Sequence, residues 1–201
     1  MSNQLQNVDC VMPAAGLSSR MGSWKMMLPY RHHTILDESI ENALRFCSRV
    51  ILVVGHRGNE LVERYENNAK IRVVVNPDYS LGMFGSIQAG VREVRSEHFF
   101  ICHGDMPCVS ADIYQQVWSE RGEHTVFPGT KEKPGHPVLL PKSIIPVIQR
   151  SEIDGKMKPL IMAYKVKFIG LDQLDIYLDV DTPAAYHAVC ESAHRKYQID
   201  N

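Results

Sequence analysis

The sequence predicts an α/β protein with a mostly parallel central sheet between layers of helices. Three observations predict it. Short apolar runs at 8–12, 50–54, 71–75 and 99–102 alternate with segments of helical apolar spacing, the pattern of β–α–β units. Polar, glycine-bearing segments follow several of those runs, where sheets of this kind place ligands. The 201 residues are most simply one domain, 1–201, with enough chain for a substantial core.

Taken in order, residues 8–12 form the first strand. Thr34 is a candidate N-cap for a helix to about residue 46, whose apolar stripe is Leu36, Ile40, Ala43, Leu44 and Cys47. A buried strand at 50–54 leads through a turn to a helix capped by Asn59. The strand at 71–75 is broken by Asn76-Pro77. A helix at 86–94, a strand at 99–102 and a helix at 110–121 follow. Short strands are expected at 125–127 and 138–140, then a helix at 142–149 interrupted by Pro146. Residues 151–158 read as a polar, mobile lobe with an Asp154-Gly155 turn. Strands at 166–169 and 176–180 close the sheet. Thr182 as N-cap and Pro183 at the first helical position start a last helix, through about Lys196.

Composition narrows the function classes. A formal net charge of −1 argues against a general nucleic-acid binder, which needs a basic excess. No apolar run approaches the roughly 18 residues of a membrane helix, and the polar start at 1–7 lacks signal-peptide character. The five cysteines include no C-x-x-C pair, so reduced thiols in a cytoplasmic protein are expected rather than a disulfide framework.

The most informative stretch is 10–31. Small residues Ala14, Ala15, Gly16, Ser18 and Gly22 follow the first strand and meet Arg20 and Lys25, with no Asp or Glu between Asp9 and Asp37. A glycine-bearing loop after a strand lets backbone N–H groups approach a ligand. Fixed positive charge without nearby acid selects an anion, and a polyphosphate fits best. The spacing is neither the P-loop nor the dinucleotide fingerprint. A second small-residue loop, with Gly82 and Ser86, opens the 86–94 helix; a plain connector accounts for its composition as well as a site does. Asp105 follows the 99–102 strand between Gly104 and Pro107. That is where open α/β sheets bind ligands, and a carboxylate there suits Mg²⁺, although a turn-capping Asp fits a lone Gly-Asp too. His136, between Gly135 and Pro137, is either a substrate contact or a structural loop histidine. Asp179 and Asp181, two apart at the end of an expected strand, face one side; Asp181 lies nearer the ligand edge. Together these groups form a kit for nucleotidyl transfer by positioning and charge, without a protein nucleophile.

Ala14-Ala15-Gly16-x-Ser18-x-Arg20-Met21-Gly22-x-x-Lys25-x-x-Leu28-Pro29 is similar to the N-terminal signature of the MobA-like NTP-transferases, and within them to the molybdenum cofactor cytidylyltransferase branch. The resemblance implies a Rossmann-like, three-layer α/β/α fold of the nucleotide-diphospho-sugar-transferase type. It implies CMP transfer from CTP to the terminal phosphate of molybdopterin, with release of pyrophosphate and a molybdenum-enzyme client downstream. It also implies roles for further segments. Gly82-Met83-x-x-Ser86 resembles a nucleotide-binding segment, Gly104-Asp105-Met106-Pro107 the Mg²⁺-binding segment, and Gly135-His136-Pro137 a segment close to the second substrate. Asp181-Thr182-Pro183 resembles the segment supplying a second acid near the metal. Arg20, Lys25 and Asp105 are thereby the catalytic candidates, and Asp105 with Asp181 the metal ligands. Ala14-Ala15-Gly16 matches the cytidylyl rather than the guanylyl branch. The chain departs from the branch at 151–158, where a Gly-Asp-x-Gly-x-Arg pattern is common and its arginine is missing here. That departure keeps two other readings open: transfer to a sugar or alditol phosphate, and a non-catalytic nucleotide- or cofactor-binding chaperone.

Overall fold

A computed structural model describes residues 5–153 and 155–199. The polar start at 1–4 and Asp154 lie outside the described residues, so the Asp154-Gly155 turn is not assessed. The elements are β1 (Gln6–Pro13), β2 (Pro29–Tyr30), β3 (His33–Thr34), α1 (Ile35–Leu44), β4 (Cys47–Val54), α2 (Gly58–Tyr65), β5 (Ile71–Val75) and α3 (Met83–Val91). They continue with β6 (His98–Ile101), α4 (Ala111–Ser119), β7 (Thr125–Phe127), β8 (Val138–Pro141), α5 (Ile145–Arg150), α6 (Met157–Met162), β9 (Val166–Phe168) and α7 (Pro183–Ile199).

Seven strands form one sheet in the order β5-β4-β1-β6-β8-β7-β9. β5, β4, β1 and β6 are parallel. β8 alone runs against its neighbours, pairing antiparallel with β6 and β7, while β7 and β9 are parallel. Helices cover both faces, as the near-continuous apolar character of β1 and β4 requires. Along β1, Val8, Cys10 and Met12 pack on one face with Leu36, Ile40 and Tyr114. Val11 packs on the other with Ile51, Ile87 and Phe99. This is the two-residue alternation of a pleated strand. A third cluster, with Tyr30, Ile35, Val180 and Val189, seats α7 against the β2–β3 hairpin and the start of α1.

Local chemistry sets most element ends. Thr34 caps α1 in a full capping box: its side chain accepts from the Asp37 N–H, and Asp37 accepts from the Thr34 N–H. At α7, the Thr182 hydroxyl accepts from the Ala185 N–H at 3.2 Å, and Pro183 stands first in the helix.

Five sequence expectations are corrected. Cys47 begins β4 rather than lying on the α1 stripe, because α1 stops at Leu44. Arg57, in the left-handed region at φ 54°, precedes α2, and Asn59 is inside the helix. α3 starts at Met83, ahead of Ser86. Pro146 sits in the first turn of α5, where its missing N–H costs no helical bond, so it interrupts nothing. Residues 174–177 form a 3-10 turn instead of a closing strand, so Asp179 and Asp181 do not share a strand face.

Candidate active site

β1 and β6 lie side by side, and the chain leaves their carboxyl ends toward opposite halves of the sheet. Such a switch point opens a crevice between the two following loops. The loop after β1 carries the cations. Ser18 (φ 54°) and Gly22 (φ 66°) both adopt left-handed backbone, which turns the loop back on itself. The Ser18 hydroxyl accepts from the Lys25 N–H at 3.2 Å, and the 3-10 turn Lys25–Met27 follows. The loop after β6 is tied to β1 by the Gly104 N–H donating to the Pro13 carbonyl at 3.1 Å. There is no room for a side chain at 104: a Cβ would lie 2.8 Å from Leu36 Cδ1 and 3.2 Å from Ala14 Cβ. Asp105 is thereby fixed at the crevice floor. The Val180 N–H donates to the Asp105 carbonyl at 3.0 Å, which carries Asp181 into the same place.

Four charged side chains converge there. The Lys25 ammonium donates to Asp105 Oδ2 and, at 2.7 Å, to Asp181 Oδ1. Arg20 donates to Asp181 Oδ2 at 2.6 Å. Lys25 and Asp105 are buried, whereas the Arg20 side chain is 69% exposed. Burial alone would lower the Lys25 pKa, but Asp105 and Asp181 outweigh it and hold it above its usual value. Burial would raise Asp181, yet Lys25 and Arg20 hold it below the ordinary carboxylate range. Asp179 is raised, first by burial and then by the Asp181 and Asp105 charges. Asp181, not Asp179, is therefore the ionised partner of the cations.

Beside this cluster lies a cavity of about 330 Å³, walled by Ala14, Ala15, Gly16, Lys25, Gly82, Ser86 and Asp105. Gly82 (φ 120°) stands directly before α3, whose free N–H groups begin at the cavity wall. Ser18 and Gly22 are not in the wall; they shape the loop. The Ser86 hydroxyl accepts from Asn76 Nδ2 at 3.0 Å. Arg20 reaches the cluster from outside. His136 lines a different cavity.

That second cavity, about 410 Å³, is lined by Ile87, Ile101, Phe127, Val138 and Ile161 with Lys133, Lys158 and His136. Met83 and His103 belong to the walls of both cavities. The His103 and His136 rings lie 4.2 Å apart between centroids. His136 Nδ1 donates to the Ile101 carbonyl at 3.3 Å, an acceptor that fixes the tautomer. Burial, with Lys25 nearby, lowers His103 to about 4. Burial and the neighbouring imidazole lower His136 to about 3. Both rings are neutral at pH 7. Sequence reasoning missed His103, Met83 and Tyr79 as wall residues. A signal for His103 was available: it stands two residues before Asp105, at the same strand end.

Comparison with known proteins agrees with this architecture. Residues 10–167 match the family model described as the MobA-like NTP transferase domain. The molybdenum cofactor cytidylyltransferase of Escherichia coli is 48% identical over 179 residues, covering 88% of this chain and 92% of that protein. Among solved structures, the Rv0371c homologue from Mycobacterium sp. strain JC1 superposes with a TM-score of 0.81 at 26% identity, covering 94% of this chain and 97% of the other. The Mycobacterium tuberculosis Rv0371c structure in complex with manganese gives a TM-score of 0.75 over 93% of this chain and all of that one; at 22% identity it shows the shared fold. A nucleotidyltransferase with a mostly parallel sheet and a cationic loop after its first strand, this chain belongs to the MobA-like NTP transferase family.

Proposed function

We propose that this protein transfers CMP from CTP to the terminal phosphate of molybdopterin, releasing pyrophosphate. One observation carries the reading: Lys25, Asp105 and Asp181 meet at the edge of a cavity built by the β1 loop and the start of α3. That juxtaposes a polyphosphate cradle with a pair of acids. The E. coli relative's name supplies the base and the acceptor.

The acids suit a hard divalent ion. Asp105 Oδ1 is buried without a hydrogen-bond partner, and a lone buried carboxylate oxygen is costly unless a ligand takes it. With Asp181 it offers oxygen donors of the kind Mg²⁺ takes alongside substrate phosphates. Bound there, the ion would neutralise charge on the triphosphate. Lys25 and Arg20 turn from the carboxylates to the phosphate oxygens. The loop backbone at 14–16 and the start of α3 hold the nucleotide. An acceptor phosphate oxygen then bonds to the α-phosphorus while the α–β bridging bond breaks in line. No side chain forms a covalent intermediate.

The second cavity receives the acceptor. Its floor of Ile87, Ile101, Phe127, Val138 and Ile161 suits a flat heterocycle better than a polyol, which favours a pterin over an alditol phosphate. Lys133 and Lys158 at its wall supply charge where the branch's arginine is missing. The recipient of the product, a molybdenum enzyme, belongs to the same proposal. Among the described residues no helix is long and apolar enough to cross a membrane.

Pyrophosphate release tests the reading, with molybdopterin, Mg²⁺ and each nucleoside triphosphate in turn. CTP is expected to support turnover at least tenfold faster than GTP, and Asp105→Ala to abolish it. Equal rates with GTP would refute the base assignment; an active Asp105→Ala enzyme would refute the metal assignment.

A further inference from the structure

His103 is a polar side chain that no part of the proposed chemistry yet uses. It sits at the carboxyl end of β6, two residues from Asp105, in the partition between the two cavities. No described residue hydrogen-bonds to its ring, yet neither ring nitrogen is among the fully buried, unpartnered side-chain polar atoms, which are Trp24 Nε1 and Asp105 Oδ1. Both nitrogens therefore open onto cavity space. The ring's orientation is set by packing alone. It leans on His136 at 4.2 Å and 42°. His136 is itself pinned twice, by Nδ1 to the Ile101 carbonyl and by its backbone N–H to the Ile176 carbonyl at 2.9 Å. His136 thus holds His103 still without consuming either of its nitrogens.

We propose that His103 is a specificity-determining contact for the acceptor: its ring N–H donates to the phosphate of the organophosphate in the second cavity and aims a phosphate oxygen across the partition at the nucleotide. This rests on the functional reading above and adds the group that connects the two halves of the site. A neutral imidazole suits the task. It presents one donor and one acceptor, and it adds no net charge beside Lys25 that would draw the triphosphate out of place. His136 is a positioning residue that acts through His103.

Steady-state pyrophosphate release tests this, with CTP and molybdopterin varied separately for wild type, His103→Ala and His103→Gln. His103→Ala is expected to raise the KM for molybdopterin tenfold or more while the KM for CTP stays within twofold. His103→Gln, which keeps an N–H donor, is expected to recover at least half of that loss on a logarithmic scale. CTP binding by calorimetry, unchanged in both variants, shows that the nucleotide half stays folded. Unchanged acceptor KM in His103→Ala overturns the proposal, and so does a parallel rise in both KM values. If wild type itself releases no pyrophosphate with molybdopterin, the functional reading fails first, and the two failures are told apart.

Discussion

Replacing Lys25 by Met tests whether the ammonium holds the place between two acids that a divalent ion contests. Asp105 has one polar partner in the described structure, the Lys25 ammonium, and its side chain is 8% exposed. Asp181 keeps Arg20 when Lys25 is removed. Stranding one buried carboxylate costs about 3–5 kcal/mol when its partner is deleted. The partial exposure of Asp181 and proton uptake temper this to roughly 2–4 kcal/mol. For a chain of this length that lowers the Tm by about 5–12 °C. The loss should be reversible by metal: with the ammonium gone, millimolar Mn²⁺ meets two free carboxylates, and a ligand at 100 times its Kd adds about 2.7 kcal/mol. Differential scanning calorimetry with and without Mn²⁺ measures both effects. Arg20→Ala is the control, because an exposed pair contributes about 0–1 kcal/mol and its Tm should move by less than about 3 °C. Lys25→Met melting with wild type, or Mn²⁺ stabilising the two proteins equally, would refute the reasoning.

Two stability predictions follow from the rest of the fold. Asp37, which accepts from Arg64, Tyr65 and Thr34, is lowered from 3.8 to about 2, burial being outweighed by Arg64, Tyr65 and Thr34. A depressed carboxylate stabilises above its unfolded value and loses that contribution as pH falls from about 4 to 2. Asp37→Asn should therefore cost about 1–2 kcal/mol at pH 7, discounted for the exposed Arg64, and nothing further at pH 2. Urea melts across pH check this, and an equal cost at both ends would contradict it. Gly90→Ala sets helix propensity against packing. A Cβ there would lie 2.5 Å from Val11 Cγ1 and 2.8 Å from Val53 Cγ2, so overpacking of about 1–3 kcal/mol outweighs a propensity gain of about 0.8–1.0 kcal/mol. A raised Tm would show that the β1–β4 face yields more readily than its packing implies.

Much of the fold was legible because local chemistry and burial agree. Fully buried β1, β4 and β6 announce themselves as uninterrupted apolar runs, and Thr34 with Asp37 spells a capping box. The reversal of β8 was not legible: a strand buried on both faces has the same composition in either direction. The 174–177 turn was misread for a related reason. Ile176 is fully buried inside a short apolar run, and periodicity over so few residues does not separate a strand from a helical turn.

The same distinction governs the site. Lys25 and Asp105 were each readable, one as a phosphate cation and the other as a metal acid, because residue type and loop position sufficed. Their direct pairing was not readable, since it depends on the β1–β6 crevice and on the Val180 N–H anchoring residue 181 to the Asp105 carbonyl. That pairing changes the chemistry inferred from the list of residues. A cation already neutralised by two carboxylates attracts a bare triphosphate weakly, and two carboxylates already neutralised by a cation attract a bare metal ion weakly. A metal–triphosphate complex satisfies both at once: the ion takes the acids while the phosphates take Lys25 and Arg20. The closed cluster therefore favours nucleotide and metal arriving together, and equilibrium binding should show CTP and Mn²⁺ each tightening the other by the same factor.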